Sequence, residues 1–292
     1  MSRIRLLLLL SCLLSGHAPA GERPLSVFVS VLPQRTFVER VGGDRVAVEV
    51  MVQPGHSPAT YDPTPRQMQA LAEADLYVRT GVPFEAAWMA RVRALNPDMP
   101  ILDNRAGIEL RRLEAHGHDG DGDGTHRHAA ELDAHVWTDP RRVMLMAKGI
   151  RDQLSKLAPA DAGRFDANYR TLVAELGVLD RDIRTMLADV ERRRFLVFHP
   201  AWGYFADAYG LEQIAIEADG KEPGAQALAA VIDRARQEGV SVVFVQPQFN
   251  RRAARRVAEA IGGQVAAADP LAPDYFANLR AVAAAIAAAD QR

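Results

Sequence analysis

DAGRFDANYRTLVAELGVLDRDIRTMLADV, residues 161–190, is the most regular stretch of the chain. Phe165, Tyr169, Leu172, Leu176, Leu179, Ile183, Leu187 and Val190 recur every three or four positions with no proline between them. That spacing gathers apolar side chains on one stripe of an α-helix. At 1.5 Å per residue the helix would run on the order of 45 Å, longer than a crossover within one sheet requires. Two readings follow. The helix is a stiff strut joining two halves of the molecule, or it is an ordinary amphipathic surface helix, because a stripe establishes burial along one face without identifying the neighbour.

On both sides of this stretch, short β-branched runs alternate with helical patterns, the rhythm of α/β units with largely parallel sheets. Before it, extended runs at 26–31, 46–52, 76–79 and 101–102 are interleaved with helical patterns at 36–41, 65–74 and 85–95. After it, extended runs at 195–198, 213–216, 242–245 and 264–267 are interleaved with helical patterns at 203–209, 225–237, 253–261 and 274–289. The expected fold class is α/β, with two similar lobes around mainly parallel sheets joined by one long rigid helix. The expected boundaries are 21–160 for the N-terminal lobe, 161–190 for the linking helix and 191–292 for the C-terminal lobe.

The composition fits such a molecule. Of 292 residues 48% are apolar and 25% charged, and 35 basic side chains against 37 acidic ones give a net charge of −2. That balance offers no electrostatic footprint for nucleic acid and no polybasic hook for anionic lipid. Residues 1–20 read as a signal peptide: Arg3 and Arg5, an apolar run from Leu6 to Leu14, then Ala18-Pro19-Ala20. Export to the periplasm is expected. Leu9-Leu10-Ser11-Cys12 also resembles a lipoprotein cleavage box, so a lipid anchor through Cys12 is the alternative. The single cysteine excludes an intramolecular disulfide, and no later stretch is long and apolar enough to span a membrane.

Residues 114–133 break the rhythm. EAHGHDGDGDGTHRHAAELD holds His116, His118, His126 and His128 among glycines and aspartates without apolar periodicity, and is read as a mobile exposed loop that gathers borderline metals at low affinity. His17 lies in the signal, so three histidines remain. His56 follows the run 46–52, His135 sits in Asp133-Ala134-His135-Val136-Trp137, and His199 ends the run 195–198. The carboxyl ends of parallel strands face the ligand crevice, so His56 and His199, from different lobes, are expected to converge there. Asp269 ends the last run and would reach the same crevice. Three imidazoles and a carboxylate suit a borderline divalent ion, with zinc the best match and manganese, which prefers oxygen donors, behind it.

Signs of an enzyme are missing. The sequence has no Gly-x-Ser-x-Gly elbow, phosphate-binding glycine loop, His-Glu-x-x-His helix or cysteine nucleophile. A metal hydrolase would need a general base beside an open coordination position, and Glu217 and Glu222, the convenient candidates, are read as solvent-facing. The Arg251-Arg252 and Arg255-Arg256 pairs are read as a solvated basic face.

These residues bring a family into view. Tyr61-Asp62-Pro63-Thr64-Pro65, Asp133-Ala134-His135-Val136-Trp137, Phe198-His199-Pro200-Ala201-Trp202-Gly203-Tyr204-Phe205 and Asp269-Pro270-Leu271 occur in an order and at separations that resemble the zinc- and manganese-binding extracytoplasmic solute-binding proteins of ABC transporters. The likeness covers nearly all of the chain beyond residue 20. It implies a single metal ion held between two lobes and handed to a membrane permease, with no enzymatic step. The ligand positions of the family map onto His135, His199 and Asp269. In many members the first ligand lies directly before Thr-Tyr-Glu/Asp-Pro, where this chain has Ala59. The role is carried to His56, the one imidazole of that loop, which requires a different loop path. The histidine-rich insertion and His199, where manganese binders tend to have a carboxylate, resemble the zinc branch. The expectation is a monomeric periplasmic protein that captures Zn2+, or Mn2+, for an ABC permease. The alternatives are a secreted zinc hydrolase and a metal-binding adhesin or buffer without transport.

Overall fold

The computed structural model describes residues 23–113, 132–217, 223–249 and 251–291. The signal peptide, Cys12, the four histidines of the 114–131 segment and Glu222 lie outside the described residues.

The chain before residue 104 forms a four-stranded parallel sheet from β1 (Leu25–Val29), β2 (Val46–Val50), β3 (Leu76–Arg79) and β4 (Ile101–Asp103), in the order β2-β1-β3-β4. Helices α1 (Leu32–Gly42), α2 (Pro65–Leu71) and α3 (Pro83–Leu95) connect the strands. After residue 193 the same arrangement recurs: β5 (Arg194–Val197), β6 (Glu212–Ala215), β7 (Val242–Val245) and β8 (Gln264–Ala267) pair in parallel in the order β6-β5-β7-β8, with α6 (Gly203–Tyr209), α7 (Ala225–Gln237), α8 (Arg251–Ile261) and α9 (Tyr275–Asp290). Both sheets therefore reverse direction at the same place, beside their first strand, and the two-lobe α/β expectation holds.

The inner strands β5 and β7 read as continuous apolar runs because both faces are covered. In β5, Phe195 and Val197 face the main core while Leu196 faces a second cluster; in β7, Phe244 joins the first and Val243 and Val245 the second. This is the two-residue alternation of a strand with helices on each side. The second cluster is closed by Ala254, Val257 and Ala258 of α8. The opposite side of α8 carries Arg252, Arg255 and Arg256 outward, as expected of a solvated basic face.

The long helix is α5, Ala162–Met186, 25 residues and about 37 Å at the standard rise. Phe165, Leu172, Leu176, Leu179 and Ile183 form its buried stripe. Leu187 and Val190 are buried too, but in the turn that follows. Helix α5 lies against α1 and α9, one from each lobe, and against α4 (Pro140–Leu157), so it is a shared wall as well as a link. Helix α4 is absent from the sequence reading. Its apolar positions Val143, Met146, Ala147, Ile150 and Leu154 keep helical spacing, Asp139 caps it by accepting from the Arg141 N–H, and Pro140 sits in its first turn, where no amide donor is needed.

One continuous core runs through both lobes. Phe37 of α1 meets Tyr275 of α9 edge to face, with centroids 4.9 Å apart. The Tyr275 hydroxyl donates to the Trp137 carbonyl at 2.9 Å, and Trp137 Nε1–H donates to the Pro270 carbonyl at 2.8 Å. Burial pushes the Tyr275 phenol well above its ordinary pKa, with the nearby Asp139 charge adding to the rise, so the group remains a donor. Replacing Tyr275 with Phe strands a buried carbonyl, which costs about 1–3 kcal/mol. The expected readout is a lower urea midpoint at unchanged slope; a midpoint equal to the wild type would show that this bond does not hold the lobes.

Candidate metal site between the lobes

Residues 133–137 form a short tight structure rather than a loose connection. The Asp133 N–H donates to the Arg111 carbonyl at 2.9 Å, and Arg112 and Leu132 form an antiparallel bridge that brings the two sides of the 114–131 segment together. Asp133 Oδ1 accepts from the His135 backbone N–H at 2.9 Å and from the ring Nδ1–H at 2.8 Å. A single-turn 3-10 helix, Val136–Thr138, then carries the chain into α4. The Tyr204 hydroxyl, from the other lobe, donates to the Asp133 carbonyl at 3.0 Å while accepting from the Arg111 N–H at 3.0 Å. Burial is the main cause that raises this phenol too. Close packing is needed here. Gly203 lies under the Arg111 guanidinium, and a Cβ there would overlap it.

His199 follows β5 at the place where the second sheet reverses direction, between β5 and β7. Gln246, just past β7, holds its backbone on both sides: Oε1 accepts from the His199 N–H at 3.3 Å and Nε2 donates to the His199 carbonyl at 2.8 Å. The imidazole stacks on Phe249, with centroids 5.5 Å apart and planes at 23°. Its Nδ1–H donates to Glu217 Oε1 at 2.6 Å. Glu217 is only 5% exposed, which corrects the solvent-facing expectation: residue 217 lies just past β6, beside β5, and its N–H donates to the Phe198 carbonyl, turning the side chain inward.

The two imidazoles meet. His135 and His199 have ring centroids 5.2 Å apart at 72°, and their side chains are 14% and 25% exposed, enough for an ion to reach them. Each ring has Nδ1–H directed to a buried carboxylate, which leaves the Nε2 lone pair for a cation.

Asp269 lies on the adjoining loop, whose Pro270 carbonyl accepts from Trp137. Its Oδ1 accepts from the Leu271 N–H at 3.0 Å and from Gln248 Nε2 at 3.3 Å. His56 is placed differently. Its N–H donates to the Gln53 carbonyl across Pro54-Gly55, with Gly55 at φ +83°, as a type II turn requires. The exposed ring rests edge-on against Tyr61, with centroids 5.6 Å apart, in a shallow pocket with Thr60 and Asp62. Ala59 sits at the tip of the next turn, where the Thr60 N–H donates to the Ser57 carbonyl. The reason lies in the topology: β2, which delivers His56, is the edge strand on the far side of β1 from the place where the first sheet reverses. Among the described residues no three His, Cys, Asp or Glu side chains come together as a metal cluster.

Comparison with known proteins identifies the family of the chain. Residues 27–289 match the family model described as zinc-uptake complex component A, periplasmic. A zinc-binding protein AdcA of Streptococcus pyogenes serotype M6 is 27% identical over 285 residues, covering 89% of this chain and 55% of the relative, so the chain spans a little over half of that protein's length. The high-affinity zinc uptake system protein ZnuA of Bacillus subtilis is 27% identical over 255 residues, covering 86% of this chain and 79% of the relative. A crystal structure of ZnuA superposes with a TM-score of 0.84 at 37% identity, covering 91% of this chain and 99% of that one. This chain belongs to the family of periplasmic zinc-uptake complex component A.

Proposed function

We propose that this protein captures a divalent transition metal, zinc ahead of manganese, outside the cytoplasm and delivers it to an ABC permease. The observation that carries the proposal is the meeting of His135 and His199 from opposite lobes, each with Nδ1–H on a buried carboxylate. Two imidazoles whose rings meet offer nitrogen donors, which favour zinc over ions that prefer oxygen. Asp269 supplies an anionic oxygen from the loop bonded to Trp137. His56, on its exposed turn, completes the set. The metal is cargo, and the site needs no general base. The names of the relatives point the same way, since both are zinc proteins by name.

Zinc should raise thermal stability, because an unfolded chain cannot assemble ligands so distant in sequence; at a free concentration 100 times Kd the gain is about 2.7 kcal/mol. His199→Ala is expected to remove most of that rise in a calorimetric scan, and a full zinc shift in the variant would refute the site. Deleting residues 114–131 should lower the number of zinc ions bound while one tight site persists. Loss of the tight site would mean that this segment supplies ligands to it.

Closure on the metal should be small. Helix α5 is continuous and packed by both lobes, and bending it would break backbone hydrogen bonds. Small-angle scattering of metal-free and zinc-loaded protein should give profiles that overlay, whereas a wide domain rotation would contradict the shared-wall role of α5.

A further inference from the structure

Glu217 has features that binding a cation at His199 does not by itself require. Its side chain is buried, its Oε1 accepts the short bond from His199 Nδ1–H, and its Oε2 is buried without a hydrogen-bond partner among the described residues. Taking a carboxylate out of water is costly, and a buried oxygen without a partner has to be explained. Asp133 on the other ring also has a buried oxygen, Oδ2, without a hydrogen-bond partner among the described residues, but its other contacts differ. It also accepts the His135 backbone N–H, and Arg111 Nη1 lies 3.8 Å from its Oδ2, so that carboxylate has a structural task in its turn.

A neutral imidazole carries one proton, and in water it exchanges between the two ring nitrogens. Beside an acceptor fixed at Nδ1 the proton stays there and the lone pair is confined to Nε2. At His199 the Phe249 stack and the Gln246 clamp on the backbone set the plane and the position of the ring. Neither selects a nitrogen. Glu217 does. When a divalent cation draws electron density from Nε2, the Nδ1–H becomes more acidic and its bond to a carboxylate strengthens.

We propose that Glu217 is a positioning residue for the metal site. It locks His199 in the Nδ1–H tautomer, which leaves the Nε2 lone pair for the ion. The inference rests on His199 being a ligand, as argued under the proposed function.

The test combines two measurements on the mature full chain. Long-range 1H–15N correlation reads the tautomer of each histidine in the metal-free protein, and competition with a chromophoric chelator reads zinc affinity. Glu217→Ala should leave His199 as a mixture of tautomers with His135 unchanged, and should weaken zinc binding about 10- to 100-fold. Glu217→Met, which keeps the side-chain length without an acceptor, should do the same and serves if the alanine variant does not fold. In a His199→Ala background the Glu217 substitution should cost nothing further. An unaltered His199 tautomer, or a tenfold loss that persists without His199, would overturn the proposal. The tautomer measurement needs no metal. Weak zinc binding by the wild type would therefore count against the proposed function, while a fixed His199 tautomer that Glu217→Met does not release would count against the role of Glu217.

Discussion

The hydrogen bonds that tie residues 133–137 to the opposite lobe are the constraint on which the site depends. Tyr204 holds the start of the segment through the Asp133 carbonyl, and Trp137 and Tyr275 hold its end through the Pro270 and Trp137 carbonyls. His135 lies between these fixed points. Because the same bonds reach the loop of Asp269, the placement of His135 from one half and of Asp269 from the other is decided together. An apolar interface would bring the lobes near each other but would not fix an imidazole to the accuracy that coordination demands.

The duplicated topology explains which side chains reach the centre. Each sheet leaves a crevice where its order reverses, and in the second sheet His199 occupies that point with Gln246 from the neighbouring strand as its clamp. Glu217 comes from β6, on the other side of β5, and closes around the same ring. The first sheet contributes less directly. Its reversal lies between β1 and β3, whereas His56 comes from the edge strand β2, and His135 belongs to no strand at all. The two rings that meet thus come from one strand end and one short turn, whereas His56 stands on an exposed turn against Tyr61.

Much of this was legible in the sequence because periodicity reports burial. The eight strands, the stripe of α5 and the helices α6 and α7 follow from apolar runs and helical spacing. What burial cannot report is partner choice. Nothing in the run around Glu217 distinguishes a carboxylate facing water from one facing an imidazole, since either could follow a strand. Helix α4 had a readable start in Asp139-Pro140 and a readable stripe, but its small and mixed apolar residues are a weaker signal than the leucines of α5. His56 marks another limit. The sequence gives its loop, whereas the Pro54-Gly55 turn and the Tyr61 ring decide where the imidazole rests.

The fold and the site are coupled through a few buried polar groups, and their arrangement has one direct geometric consequence. In a crystal of the protein grown with zinc, Nε2 of His135 and Nε2 of His199 should both lie about 2.0–2.1 Å from one ion, with each Nδ1–H still on its carboxylate. A zinc ion bound elsewhere, with these two rings at their present separation and neither touching it, would contradict the central claim that the opposed imidazoles form the core of the metal site.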